Sequence, residues 1–81
     1  MVTIVGMAFA PSSVHVHVGD SVQFQNKDIV PHTATSKVPD GFDSGMIKPG
    51  ETWMVVLKAP GKFHFACQFH TEMTGEIVVE K

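Results

Sequence analysis

Phe63-His64-Phe65-Ala66-Cys67-Gln68-Phe69-His70-Thr71-Glu72-Met73-Thr74-Gly75-Glu76-Ile77-Val78-Val79 contains a strand, a tight loop and the start of a second strand. Phe63, Phe65 and Cys67 fall on one face while His64 and Ala66 fall on the other, the period of two that a half-buried strand requires. Glu76–Glu80, with its β-branched residues, predicts the return strand. The chain must turn between them, so Cys67, His70 and Met73, spaced three residues apart, share one short loop. That loop brings a thiolate, an imidazole and a thioether together with little conformational freedom.

The same alternation extends outward. Val14, Val16 and Val18 alternate with His15 and His17, and Val22 and Phe24 alternate with Gln23 and Gln25. In Thr52–Leu57 the pattern sets Trp53 on one face with Val55 and Leu57, an ordinary packing position for a large aromatic. Turn signals recur at Gly19-Asp20, Asn26-Lys27-Asp28, Pro39-Asp40-Gly41, Pro49-Gly50, Pro60-Gly61 and Gly75. Short strands punctuated roughly every 8–12 residues predict an all-β sandwich or barrel. No segment holds a 3.6-residue period over three turns. The expectation is seven or eight short antiparallel strands, no long helix, and an irregular excursion over Val38–Ile47.

Composition narrows the class. At 81 residues the chain has room for one small domain, residues 1–81, and 43% apolar content with 17% charge is that of a folded globular protein. No apolar run approaches the ~20 residues of a transmembrane helix. All six cations are lysines scattered from Lys27 to Lys81, and the formal net charge is −2. No basic cluster is offered to a phosphate backbone, so nucleic acid is not an expected partner. Ala8-Phe9-Ala10 has the form of a signal-cleavage tripeptide, but no lysine or arginine precedes it. Met1 therefore reads as the start of an already trimmed secreted domain.

A single cysteine, Cys67, excludes an internal disulfide framework and every four-cysteine zinc site. Five histidines and five methionines in so short a chain turn attention to metal. Cys67, His70 and Met73 need a fourth partner, and His32 is the candidate, aimed by Pro31 at the start of an expected strand over Thr33–Ser36. Two imidazoles, one thiolate and a weak thioether suit copper in both oxidation states. Zinc prefers four good donors, and iron–sulfur clusters need more cysteines. The lone cysteine also rules out a dinuclear copper site, and five histidines are too few for a trinuclear one.

With these residues in view, the chain resembles the cupredoxin family almost end to end. The resemblance runs through Phe9-Ala10-Pro11, the stretch Val16–Phe24, Pro31-His32-Thr33, Asp43-Ser44-Gly45, Lys48-Pro49-Gly50-Glu51, Pro60-Gly61 and Cys67-x2-His70-x2-Met73-x-Gly75. The two-residue gap between His70 and Met73 is similar to that of amicyanins, where plastocyanins and pseudoazurins have longer gaps. The resemblance implies a Greek-key β-sandwich holding one type 1 copper, with His32, Cys67 and His70 equatorial and Met73 axial. It further implies a monomeric blue copper protein, not an enzyme, that carries one electron between a donor and an acceptor redox protein in the periplasm or outside the cell. The chain departs from amicyanins in being shorter, especially at its amino end, and in having phenylalanines where tyrosines are common beside the cysteine. Both departures bear on the partner. The alternative function is a copper-binding or storage domain of a larger secreted or membrane-tethered protein, and a redox-silent interaction module is a third class.

Other residues receive more modest readings. His15 and His17 lie about 7 Å apart on one strand face and are expected to be plain exposed histidines, as is His64. Thr33 and the backbone amides near Cys67 are candidates to donate to the thiolate sulfur. Asn26 either ties adjoining loops together or completes a turn. Pro31 and Phe69 flank the proposed ligands and could form an apolar rim around an exposed edge of His70.

Overall fold

Period-two segments become strands throughout the computed structural model, which describes every residue of the chain except Asp40. The described residues form nine strands: β1 (Val2–Val5), β2 (Ala8–Ala10), β3 (Ser13–His17), β4 (Ser21–Asn26), β5 (Thr35–Ser36), β6 (Phe42–Asp43), β7 (Thr52–Val56), β8 (Gly61–Ala66) and β9 (Thr74–Glu80). Two sheets result, one in the order β2-β1-β4-β7 and the other β3-β9-β8-β5-β6. The all-β sandwich expectation holds, with two differences in detail. Two strands, β5 and β6, are only two residues long, which carries the count past eight. And β1 pairs with β4, and β3 with β9, in parallel, where the strand pattern predicts antiparallel neighbours. Each parallel pair joins strands distant in sequence, so no local pattern announces it.

The inward faces meet in one core. Val2 and Ile4 of β1, Val22 and Phe24 of β4, Phe63 and Phe65 of β8, and Ile77 and Val79 of β9 are all buried, as alternation requires. Phe24 sits at the centre of the aromatic packing. Its ring meets Phe65 edge-on at 5.2 Å and Phe9 at 6.2 Å, and tilts against Trp53 at 5.9 Å and Phe42 at 6.2 Å. Edge-to-face pairs of this kind add to simple area burial. Val14 and Val16 pack against this core from β3. Val18 departs from the expected alternation: it lies beyond the end of β3, where the chain turns, and is exposed.

The loops at one end of the sandwich carry the candidate ligands. His32 forms an isolated antiparallel bridge with Ile47, its N–H donating to the Ile47 carbonyl at 3.1 Å and its own carbonyl accepting from Ile47 N–H at 2.7 Å. The strand expected over Thr33–Ser36 narrows to Thr35–Ser36, and the Val38–Ile47 excursion contains the short β6. The Pro39-Asp40-Gly41 turn signal includes Asp40, which lies outside the described residues. Among the described residues no helix is long and apolar enough to cross a membrane.

Candidate metal centre

Cys67 follows the last residue of β8 and keeps that strand's inward parity, so its side chain is wholly buried beside Phe65. The loop beyond it is closed by two backbone hydrogen bonds. Met73 N–H donates to the His70 carbonyl at 2.9 Å, and Cys67 N–H donates to the Met73 carbonyl at 3.1 Å. These bonds fix Cys67, His70 and Met73 relative to one another before any side chain is considered. His32, also wholly buried, comes from the segment bridged to Ile47 that leads into β5 beside β8.

Three donor atoms converge. Cys67 Sγ lies 3.6 Å from His32 Nδ1 and 3.9 Å from His70 Nδ1, and all three atoms lie within 4.8 Å of one another. With metal–nitrogen bonds of ~2.0 Å and metal–sulfur bonds of ~2.3 Å, donors at a trigonal angle stand roughly 3.8 Å apart. Both sulfur–nitrogen spacings lie close to that value, so each imidazole stands where it could share one first-row ion with the sulfur. Met73 is buried at the same end of the core, tied by its backbone to both Cys67 and His70. His70 is only half-buried, and Phe69 beside it is 51% exposed.

The sulfur is prepared as an anion. Burial pushes the Cys67 thiol up, but Thr33 N–H at 3.4 Å foremost, with the His70 ring and Phe69 N–H, outweighs it and brings the thiol down to about 6. Hydrogen bonds to the charged form favour that form, and the thiolate is the metal-binding species. Thr33 contributes twice, because its Oγ1 accepts from Gln68 N–H at 2.9 Å and so fixes the residue after the cysteine.

Asn26 resolves in favour of tying loops. Wholly buried, it donates through Nδ2 to the carbonyls of Val30 (2.9 Å) and Ile47 (2.8 Å), and its Oδ1 accepts from Asp28 N–H at 2.8 Å. Both segments that hold His32 are therefore bonded to one side chain. In the sequence Asp28 reads only as part of the Asn26-Lys27-Asp28 turn. Its Oδ2 lies 2.8 Å from His32 Nε2. Its position four residues before His32, inside a turn signal, was the available hint. His15 and His17 stand exposed on β3, with His17 Nδ1 4.0 Å from Asp20, and exposed His64 lies 4.0 Å from Glu76.

Similarity to known proteins agrees with this arrangement. A family model described as a cupredoxin-like domain matches residues 1–79. Plastocyanin from Vicia faba is 34% identical over 88 residues, covering 91% of this chain and 89% of the plastocyanin. Amicyanin-alpha from Methylorubrum extorquens is 30% identical over 83 residues, covering 98% of this chain and 70% of the relative. Against the chloroplastic plastocyanin of Pisum sativum the chain spans 52% of the relative's length. A solved amicyanin mutant in its Cu(I) form superposes with a TM-score of 0.91 at 26% identity, over 98% of this chain and 79% of that one. The copper-containing nitrite reductase of Thermus scotoductus SA-01 superposes equally well, at 0.91 and 27% identity, but only 22% of its chain is involved.

Proposed function

The chain belongs to the cupredoxin-like domain family, and we propose on that footing that it is a small blue copper protein carrying one electron at a time on a single type 1 copper. His32, Cys67 and His70 would hold the copper as its strong donors, and Met73 would supply the weaker thioether. The observation that carries this reading is the convergence of Cys67 Sγ with two imidazole nitrogens at 3.6 and 3.9 Å. Copper, when bound, supplies the Cu(I)/Cu(II) couple, and a thiolate, two imidazoles and a weak thioether suit both states.

The chain's own residues do the rest. His32 and Cys67 are buried, which keeps bulk water from the donors. The backbone bonds of the 67–73 loop, the His32–Ile47 bridge and the Asn26 ties hold the donors in place, so a change of charge meets a rigid set of atoms. Thr33 N–H donates to the sulfur and tempers its negative charge. Half-buried His70, with exposed Phe69 beside it in the chain, brings the centre toward the surface where a donor and an acceptor protein can be met in turn. Residues 1–81 act as one domain and as a monomer, in the periplasm or outside the cell, with no bond-making reaction.

Voltammetry of the copper-loaded chain tests the carrier reading. A reversible one-electron wave with fast self-exchange is expected. Copper that binds but cannot be cycled would favour the alternative of a storage domain from a larger protein.

A further inference from the structure

We infer that Asp28 is the positioning residue of this centre: its carboxylate, clamped by the β1–β2 turn, fixes the His32 ring with Nδ1 facing the Cys67 sulfur and biases the bound metal toward its higher charge state. The bias rests on the copper reading, whereas the placement of the ring does not. Both nitrogens of wholly buried His32 are engaged, Nε2 with Asp28 Oδ2 at 2.8 Å and Nδ1 on the side of Cys67 Sγ at 3.6 Å. An ionised carboxylate can only accept, so the proton sits on Nε2 and donates to Asp28. A histidine whose far nitrogen donates to a carboxylate has a fixed ring orientation and is a stronger metal ligand.

The carboxylate is itself held from a separate part of the chain. Gly6 N–H donates to Oδ1 and Met7 N–H to Oδ2, each at 3.0 Å. These two residues form the two-residue turn between paired Val5 and Ala8, and both have φ of 61°. Such a turn needs positive φ at both central positions, which glycine adopts freely and methionine does not. Met7 accepts that conformation where its N–H meets Asp28. The Met7 N–H foremost, then the His32 ring, with help from Gly6 N–H, hold the Asp28 carboxyl below its ordinary value despite desolvation. From the other side, Asp28 N–H donates to Asn26 Oδ1. A turn 21 residues away in sequence thus sets a negative charge against the outer edge of a buried ligand.

Asp28→Asn and Asp28→Ala separate charge from placement. Asparagine keeps an acceptor oxygen and loses the charge, whereas alanine loses both. In the metal-free protein, NMR should find a slowly exchanging His32 Nε2–H in the parent and in Asp28→Asn. In Asp28→Ala that proton and the Gly6 and Met7 amides should exchange at least ~10-fold faster. Loss of the hydrogen-bond partner of a metal-bound histidine typically costs 10–100-fold in metal affinity; at the low end, Asp28→Asn should weaken Cu(II) binding relative to Cu(I) by ~10-fold, raising the potential by ~59 mV with the blue colour kept. A freely exchanging Nε2–H in the parent would overturn the placement. An unchanged potential in a blue Asp28→Asn would overturn the bias. If neither parent nor variant turns blue, the copper reading fails and the proton measurement alone decides the placement. Should Asp28→Ala not fold, the parent proton and Asp28→Asn still decide both points.

Discussion

Asn26→Ala removes three hydrogen bonds at once and leaves no side chain able to replace them. Asn26 is wholly buried, and its bonds to Val30 O, Ile47 O and Asp28 N–H measure 2.9, 2.8 and 2.8 Å. A buried hydrogen bond contributes about 1 kcal/mol net, and a group stranded without a partner costs as much or more. The expected loss is therefore about 3 kcal/mol, taken from a total of only 5–15 kcal/mol for a typical domain. At ~4–8 °C per kcal/mol for this size, the melting temperature should fall by roughly 12–24 °C. Urea denaturation of the metal-free protein measures the effect without interference from metal binding. Asn26→Asp should cost at least as much, because it keeps the acceptor but turns a carboxylate oxygen toward two carbonyls. A loss below about 1 kcal/mol in Asn26→Ala would show that these three bonds do not join the loops around His32 in the way described.

Two further outcomes follow from the same geometry. In the metal-free protein the ultraviolet absorbance of the Cys67 thiolate should titrate near pH 6. Because the folded value lies below the unfolded one of ~8.5, this group's contribution to stability is complete above the unfolded value. It should shrink as pH falls toward 6, a decline absent from Cys67→Ser. Met73→Gln should keep copper and colour yet lower the potential, since an oxygen donor favours the oxidised ion; complete loss of copper, or an unchanged voltammogram, would remove Met73 from the axial position.

Much of this was legible in residues 63–67 alone, where alternation set Cys67 on the buried face and the loop that follows it. Thr33–Ser36 was harder. All four residues are buried, so the strand has no polar face and its period disappears, and only Thr35 and Ser36 pair as a strand. The parallel pairings of β1 with β4 and β3 with β9 depend on contacts across the whole chain. Asp28 shows a different limit. Asn26-Lys27-Asp28 reads as a turn because asparagine and aspartate serve turns, and Asp28 N–H does bond to Asn26 Oδ1 as a turn would require. Only the fold brings Gly6 and Met7 to its carboxylate and turns that carboxylate onto His32.

The most direct test is a titration of the purified metal-free chain with Cu(II), followed by visible absorption and run in parallel on Cys67→Ser. One equivalent of copper should produce an intense blue thiolate-to-copper band in the parent, saturating at a ratio of one, and none in the variant. The variant should stay folded, because the packed core around Phe24 does not depend on the metal. A parent that binds copper without the band, or a Cys67→Ser variant that keeps it, would contradict the account.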